Sequence, residues 1–72
     1  MLNTVNVIEW FSDTIQRITS FADDKKGNEQ AEKLFTDLAE ENGFSIDDVD
    51  KGLEDGHLER DDYELFLVHS TN

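Results

Sequence analysis

Apolar residues return every three or four positions along residues 4–22, the spacing that is typical of an amphipathic helix. Polar side chains fill the opposite face of the helical wheel. Trp10 and Phe21 lie together at one edge of the apolar stripe. The pattern therefore predicts a long N-terminal helix. The centre of its stripe consists of Ile8, Phe11, Ile15, Ile18 and Ala22.

A second amphipathic pattern covers residues 29–41, after a polar loop at residues 23–27. Asn28 is a favourable N-cap residue for this second helix, and Asn42 with Gly43 is expected to end it. The stripe that would face the core consists of Ala31, Leu34, Phe35, Leu38 and Ala39.

Residues 44–56 carry the clearest helix signals in the chain. Ser45 and Asp48 form a capping box in which Asp replaces the usual Glu, and Phe44 with Val49 occupies the positions of a hydrophobic staple. Gly56 is a typical helix stop. These signals predict a third helix over residues 46–55.

The last segment suits two interpretations. Tyr63, Leu65 and Leu67 alternate with their neighbours, which is a pattern typical of a strand. A lone strand would have no partner in a helical chain, so we favour a fourth helix over residues 60–69, joined to the third at Gly56-His57-Leu58. The predicted fold is one small all-α domain over residues 1–72. Its long first helix packs on the second helix and a C-terminal helical hairpin, with a strand as the alternative for the last segment.

Acidic residues are concentrated in the C-terminal half of the chain. The formal net charge is −12, and residues 37–64 contain twelve acids against two bases, which gives −10. Affinity for phosphate groups comes from Lys and Arg, and anionic lipid surfaces attract the same residues. Direct binding to nucleic acid or to a membrane is therefore not expected.

Several site chemistries are disfavoured by the residues present. The chain has no cysteine and no long apolar run, so we expect a soluble cytoplasmic protein. Neither Gly52 nor Gly56 gives an EF-hand register with ligands in place, and His57 is twelve residues from His69. We expect no metal site and no cofactor. A helical domain of this size has little room for the low-dielectric pocket that general acid catalysis needs, so an enzyme is not expected.

Ser45-Ile46-Asp47-Asp48-Val49-Asp50 is similar to the phosphopantetheine site of acyl carrier proteins. That family follows Asp-Ser-Leu-Asp-x-Val-Glu at the start of an acidic helix. The resemblance covers six residues and implies a carrier protein modified at Ser45. Phe44 stands where the family has Asp, and a helix N-cap role explains Ser45 equally.

The leading functional hypothesis is a non-catalytic protein that blocks or regulates a basic partner by charge mimicry. The partner is expected to bind nucleic acid, and such small inhibitors resemble the DNA mimics of phages and mobile elements. The alternatives are a homodimeric assembly module that uses the first helix, with Trp10 and Phe21 as its apolar contact and acidity only for solubility, and the carrier modified at Ser45. The predicted partner-binding acidic face consists of Asp37, Glu40, Glu41, Asp47, Asp48, Asp50, Glu54, Asp55, Glu59, Asp61 and Asp62.

Overall fold

The computed structural model describes residues 3–71 and has an α+β fold, so the predicted all-α class is wrong. A four-stranded sheet and two helices make up the described chain. In chain order the elements are β1 (Asn3–Phe11), β2 (Thr14–Ala22), α1 (Lys25–Glu41), α2 (Ile46–Asp55), β3 (His57–Arg60) and β4 (Tyr63–Thr71).

The sheet is antiparallel throughout, in the order β2-β1-β4-β3. β1 and β4 lie in the middle, with Val7 opposite Thr19 of β2 on one side and Leu67 of β4 on the other. The predicted helix over residues 60–69 is therefore wrong, and the strand interpretation of the last segment is confirmed. That strand has partners because β1 and β3 are also strands, whereas the sequence pattern predicts a helix over residues 4–22 and a hairpin joint at residues 56–58.

The predicted helix over residues 4–22 is a β-hairpin. Ser12 and Asp13 form its two-residue turn with φ of 50° and 62°, as hairpin turns that follow the twist of the strands require. A β-bulge places Gln16 as an extra residue, because Glu9 pairs with Arg17 and Trp10 with Ile15. The bulge keeps Ile15 and Ile18 on one face although they are three positions apart. This spacing is what imitated a helix.

The helix predicted over residues 46–55 is confirmed as α2. Its Ser45 side chain accepts a hydrogen bond from the Asp48 amide at 3.2 Å. Gly56 ends it in the left-handed region with φ of 78°, where a residue without Cβ is favoured. The predicted helical hairpin of this helix with residues 60–69 is wrong, because His57 begins β3 directly after Gly56.

The second predicted helix is confirmed as α1, but it begins four residues earlier, at Lys25 rather than Glu29. Its N-cap is Asp24, whose Oδ1 accepts from the Gly27 amide at 2.7 Å. Asn28, the predicted N-cap, lies inside the first turn, and its amide donates to Asp23 Oδ1 at 2.7 Å.

The hydrophobic core lies between the helices and one face of the sheet. α2 approaches β3 closely at Gly52, where a Cβ atom would collide with the Leu58 side chain. Within residues 3–71, neither helix is long and apolar enough to cross a membrane. The buried apolar residues are Val5, Val7, Ala31, Phe35, Leu38, Ala39, Phe44, Val49, Leu58, Tyr63 and Leu65.

Candidate binding surfaces

The two faces of the sheet have different surroundings. Val5, Val7 and Leu65 point toward the helices and are fully buried. Side chains at alternating positions point the other way, and the described chain places no element over them. We call the large apolar members of this set the open-face patch. It consists of Ile8, Trp10, Ile15, Ile18, Phe66 and Val68.

Strand pairing makes the open-face patch continuous. Ile8 lies directly opposite Ile18 on one side and Phe66 on the other. Trp10 pairs with Ile15 in the next row. Side chains opposite each other across antiparallel strands are about 5 Å apart, so these rows form one apolar surface. Ile18 is 55% exposed and Ile15 is 48% exposed.

Polar side chains at one end of the open face bond to one another. The Ser20 hydroxyl donates to Asn6 Oδ1 at 2.6 Å, and the Asn6 amide lies 3.2 Å from Ser70 Oγ. The same amide lies 3.3 Å from the Val68 carbonyl oxygen. This row crosses β2, β1 and β4, and its hydrogen-bonding groups already have partners within the chain.

A mixed cluster lies at the β3 edge of the open face. His57 Nε2 is 3.4 Å from Glu64 Oε2, and Glu59 is opposite Glu64 in the β3–β4 pair. One nitrogen and two carboxylate oxygens lie within 4.8 Å of one another, which is a donor set that a divalent cation accepts. The His57 ring also stacks on Phe66 at 4.7 Å. The sequence alone does not bring these three residues together, because they meet only through the antiparallel pairing of β3 with β4.

The acidic residues predicted to bind a partner are all exposed, but they do not form one surface. Glu59 belongs to the open face, and Asp61 and Asp62 form the β3–β4 turn. The remaining eight lie on the two helices, and we call them the acidic helix surface. They are Asp37, Glu40, Glu41, Asp47, Asp48, Asp50, Glu54 and Asp55.

Trp10 and Phe21 do not lie together, as a helix would have placed them. Trp10 belongs to the open-face patch. Phe21 is opposite Val5 and packs against the core on the helix side of the sheet. The two aromatic side chains therefore belong to different faces.

Tyr63 closes the core beneath the two hairpin turns. Its hydroxyl donates to Glu9 Oε2 at 2.8 Å, and its ring lies 6.3 Å from the ring of Phe44. Burial raises the pKa of Tyr63 above its ordinary value, and the hydrogen bond to Glu9 raises it further. The phenol therefore stays neutral at physiological pH and acts as a hydrogen-bond donor. Arg60 covers Phe44, with its guanidinium carbon 4.6 Å from the ring centre.

The fold around Ser45 differs from the one that the resemblance to acyl carrier proteins implies. The Ser45 hydroxyl oxygen caps α2, as the sequence predicted. β3 and β4 follow α2, so the chain has no further described helices after it, in contrast to the carrier family.

No protein family, curated protein or solved structure matches this chain.

Proposed function

We propose that the protein is a non-catalytic binding protein whose acidic helix surface occupies the phosphate-binding site of a basic, nucleic-acid-binding partner. Such binding would block or regulate the partner by charge mimicry. The observation that carries the proposal is the placement of eight exposed carboxylates on the two helices, on the side of the molecule away from the open-face patch.

The density of charge along α2 supports this proposal. Five acids lie within its ten residues, and an α-helix rises 1.5 Å per residue. The average spacing is thus about 3 Å of helix axis per carboxylate, against ~3.4 Å per phosphate along one strand of B-DNA. A groove lined with Lys and Arg for phosphates would therefore meet a similar charge density.

The acidic helix surface has little internal neutralisation. Among residues 3–71, Asp37 is its one member with an ion pair, to Lys33 at 3.2 Å, and both side chains are exposed. Concentrated like charge destabilises a compact state through self-repulsion. A cationic partner would relieve this repulsion on binding, and electrostatic steering would speed association at low salt.

The test compares two triple variants with the same loss of charge. Asp47→Asn, Asp50→Asn and Glu54→Gln together neutralise α2. The matched control is Asp13→Asn, Glu29→Gln and Glu32→Gln, which removes exposed acids elsewhere. Each protein is immobilised and incubated with cell lysate, and bound proteins are released by duplex DNA or by salt.

We expect the unmodified chain and the control to retain a basic nucleic-acid-binding protein that duplex DNA displaces. The α2 triple should lose it, and retention should fall steeply between 50 and 200 mM salt. Equal recovery by the α2 triple and the control would overturn the proposal. Recovery of proteins that DNA does not displace would overturn it as well.

A further inference from the structure

We propose that two copies of this chain pack face to face through the open-face patch. This inference is independent of the proposed function, because it concerns the opposite side of the molecule. Isolated exposed apolar residues are ordinary, whereas a continuous apolar surface marks an interaction site. The rows formed by Ile8, Trp10 and their cross-strand neighbours are a surface of the second kind.

Charge selects a second copy as the occupant. The alternating positions of β1, β2 and β4 that form the open face contribute no Lys or Arg, and its described carboxylates are Glu59 and Glu64 at the β3 edge. A strongly charged partner would thus meet no oppositely charged side chains at the apolar centre of the open face. The identical face of another copy is apolar at its centre and is present wherever the protein is.

Face-to-face packing also keeps the acidic helix surfaces apart. Each chain has a formal charge of −12, so most approaches bring acid against acid. Packed sheets lie ~10 Å apart, and a helix ~10 Å thick would lie beyond each sheet. The two acidic surfaces would then be about 30 Å apart, several times the Debye length of ~8 Å at physiological salt.

The polar part of the open face tolerates being covered. A buried polar group is costly when it has no hydrogen-bond partner. Asn6 and Ser20 are bonded to each other, and the Asn6 amide also contacts Ser70. Covering this row would leave these side chains with their present partners, so burial would not create unpaired groups there.

The size of the face predicts a weak dimer. Three strands of nine residues and one of four form the sheet. With ~3.3 Å per residue and ~4.8 Å between strands, the face covers about 500 Å². Two such faces bury about 1,000 Å² together, which is near the lower limit for a specific interface. We expect dissociation in the micromolar range.

The test uses two exposed isoleucines, one on the open face of the sheet and one on α2. Ile18→Asp places a charge within the open-face patch, directly opposite Ile8 at its centre. Ile46→Asp makes the same change on α2, where the isoleucine is 73% exposed against 55% for Ile18. Sedimentation equilibrium of each protein is measured from 5 to 500 μM at physiological salt, with circular dichroism as the control for folding.

We expect the unmodified chain and Ile46→Asp to dimerise with rising concentration, and Ile18→Asp to bind at least tenfold more weakly. A monomer at 500 μM, or an Ile18→Asp variant that dimerises normally, would overturn the proposal. A second measurement on the unmodified chain does not depend on variants. Amide shifts on dilution should map to both central strands and β2; shifts confined to the helices, or to the outer edge of β2, would also overturn it.

Discussion

The two faces of the sheet differ although they are built from the same strands. On the helix side, Val7 and Leu65 are fully covered, and the Tyr63 hydroxyl has Glu9 as its partner. Ile8 and Phe66, which follow Val7 and Leu65 in the sequence, point to the open side and remain partly in contact with solvent. Two helices thus complete one hydrophobic core and leave a second apolar layer without a cover inside the described chain. Alternating side chains along a strand can thus supply an apolar layer on each face of a sheet, and this fold buries one of the two layers in its core.

The largest expected effect separates the two faces with one substitution. Val7→Ala and Val68→Ala remove the same atoms, but Val7 is 1% exposed and Val68 is 39% exposed. We expect Val7→Ala to lower the free energy of unfolding by about 2 kcal/mol, from lost burial and the cavity left behind. Val68→Ala should lower it by less than ~0.5 kcal/mol. Urea unfolding at a monomeric concentration measures both, and equal losses would remove the distinction between the faces.

A smaller effect is expected from the polar contact on the helix side. Tyr63→Phe removes the hydrogen bond to Glu9 and should lower stability by about 1 kcal/mol at pH 7. The raised pKa of Tyr63 makes its contribution depend on pH. It is fully present below pH ~10, the ordinary value for tyrosine. It declines at higher pH, because the unfolded chain loses the phenol proton first.

Alkaline stability curves check this prediction. The chain has one tyrosine, so the ultraviolet absorbance of phenolate reports Tyr63 alone. Between pH 9 and 11 the unmodified chain should lose more free energy of unfolding than the Tyr63→Phe variant. Lysines titrate in both proteins, so the difference between the two curves reports Tyr63. Parallel curves, or a phenol that titrates near pH 10 in the folded chain, would contradict the structural role of the contact.

The smallest effect is expected on the outer side of the helices. Asp37→Asn breaks an exposed ion pair with Lys33, and such pairs on helices contribute about 0.3–0.5 kcal/mol. The lost charge also relieves repulsion among the neighbouring acids. The net change in unfolding free energy should therefore be under ~0.5 kcal/mol, and it should shrink further in 0.5 M salt. A loss above 1 kcal/mol would mean that the acidic helix surface stabilises the fold.

The helical layer could be predicted from local signals. The Ser45 cap and the Gly56 stop bound α2 as expected, because both act within one turn of the chain. The predicted start of α1 lies too far along the chain, because the side chain of Asp24, rather than that of Asn28, caps the first turn of the helix. Lys25 and Lys26, which the sequence pattern places in a polar loop, form the first turn of α1.

The strands could not be recognised from apolar spacing alone. The bulge at Gln16 moves Ile15 onto the face of Ile18, so the spacing matched a helix. The Ser12-Asp13 turn lacks the Gly or Asn that usually marks a hairpin. β-branched residues in 4–8 and 14–19 were the available signal. With a helix predicted over residues 4–22, β4 has no strand to pair with, and the cluster around His57 cannot be recognised.

The acidic residues were found, but their arrangement was not. All eleven are exposed, as a binding surface requires. The predicted helical hairpin groups Glu59 with the other acids, whereas strand alternation places it on the open face. Sequence can thus identify which side chains are charged, while their grouping depends on the pairing of distant strands.

The central position of β1 and β4 has a consequence for how the chain reaches its native state. Val7 and Leu67 are neighbours in the sheet although sixty positions separate them along the chain. During synthesis, the β1–β2 hairpin and α1 would emerge well before β4 exists, and the inner edge of β1 would wait unpaired. Closing such a long loop slows folding. The last of the four described strands to be synthesised would therefore complete the middle of the sheet.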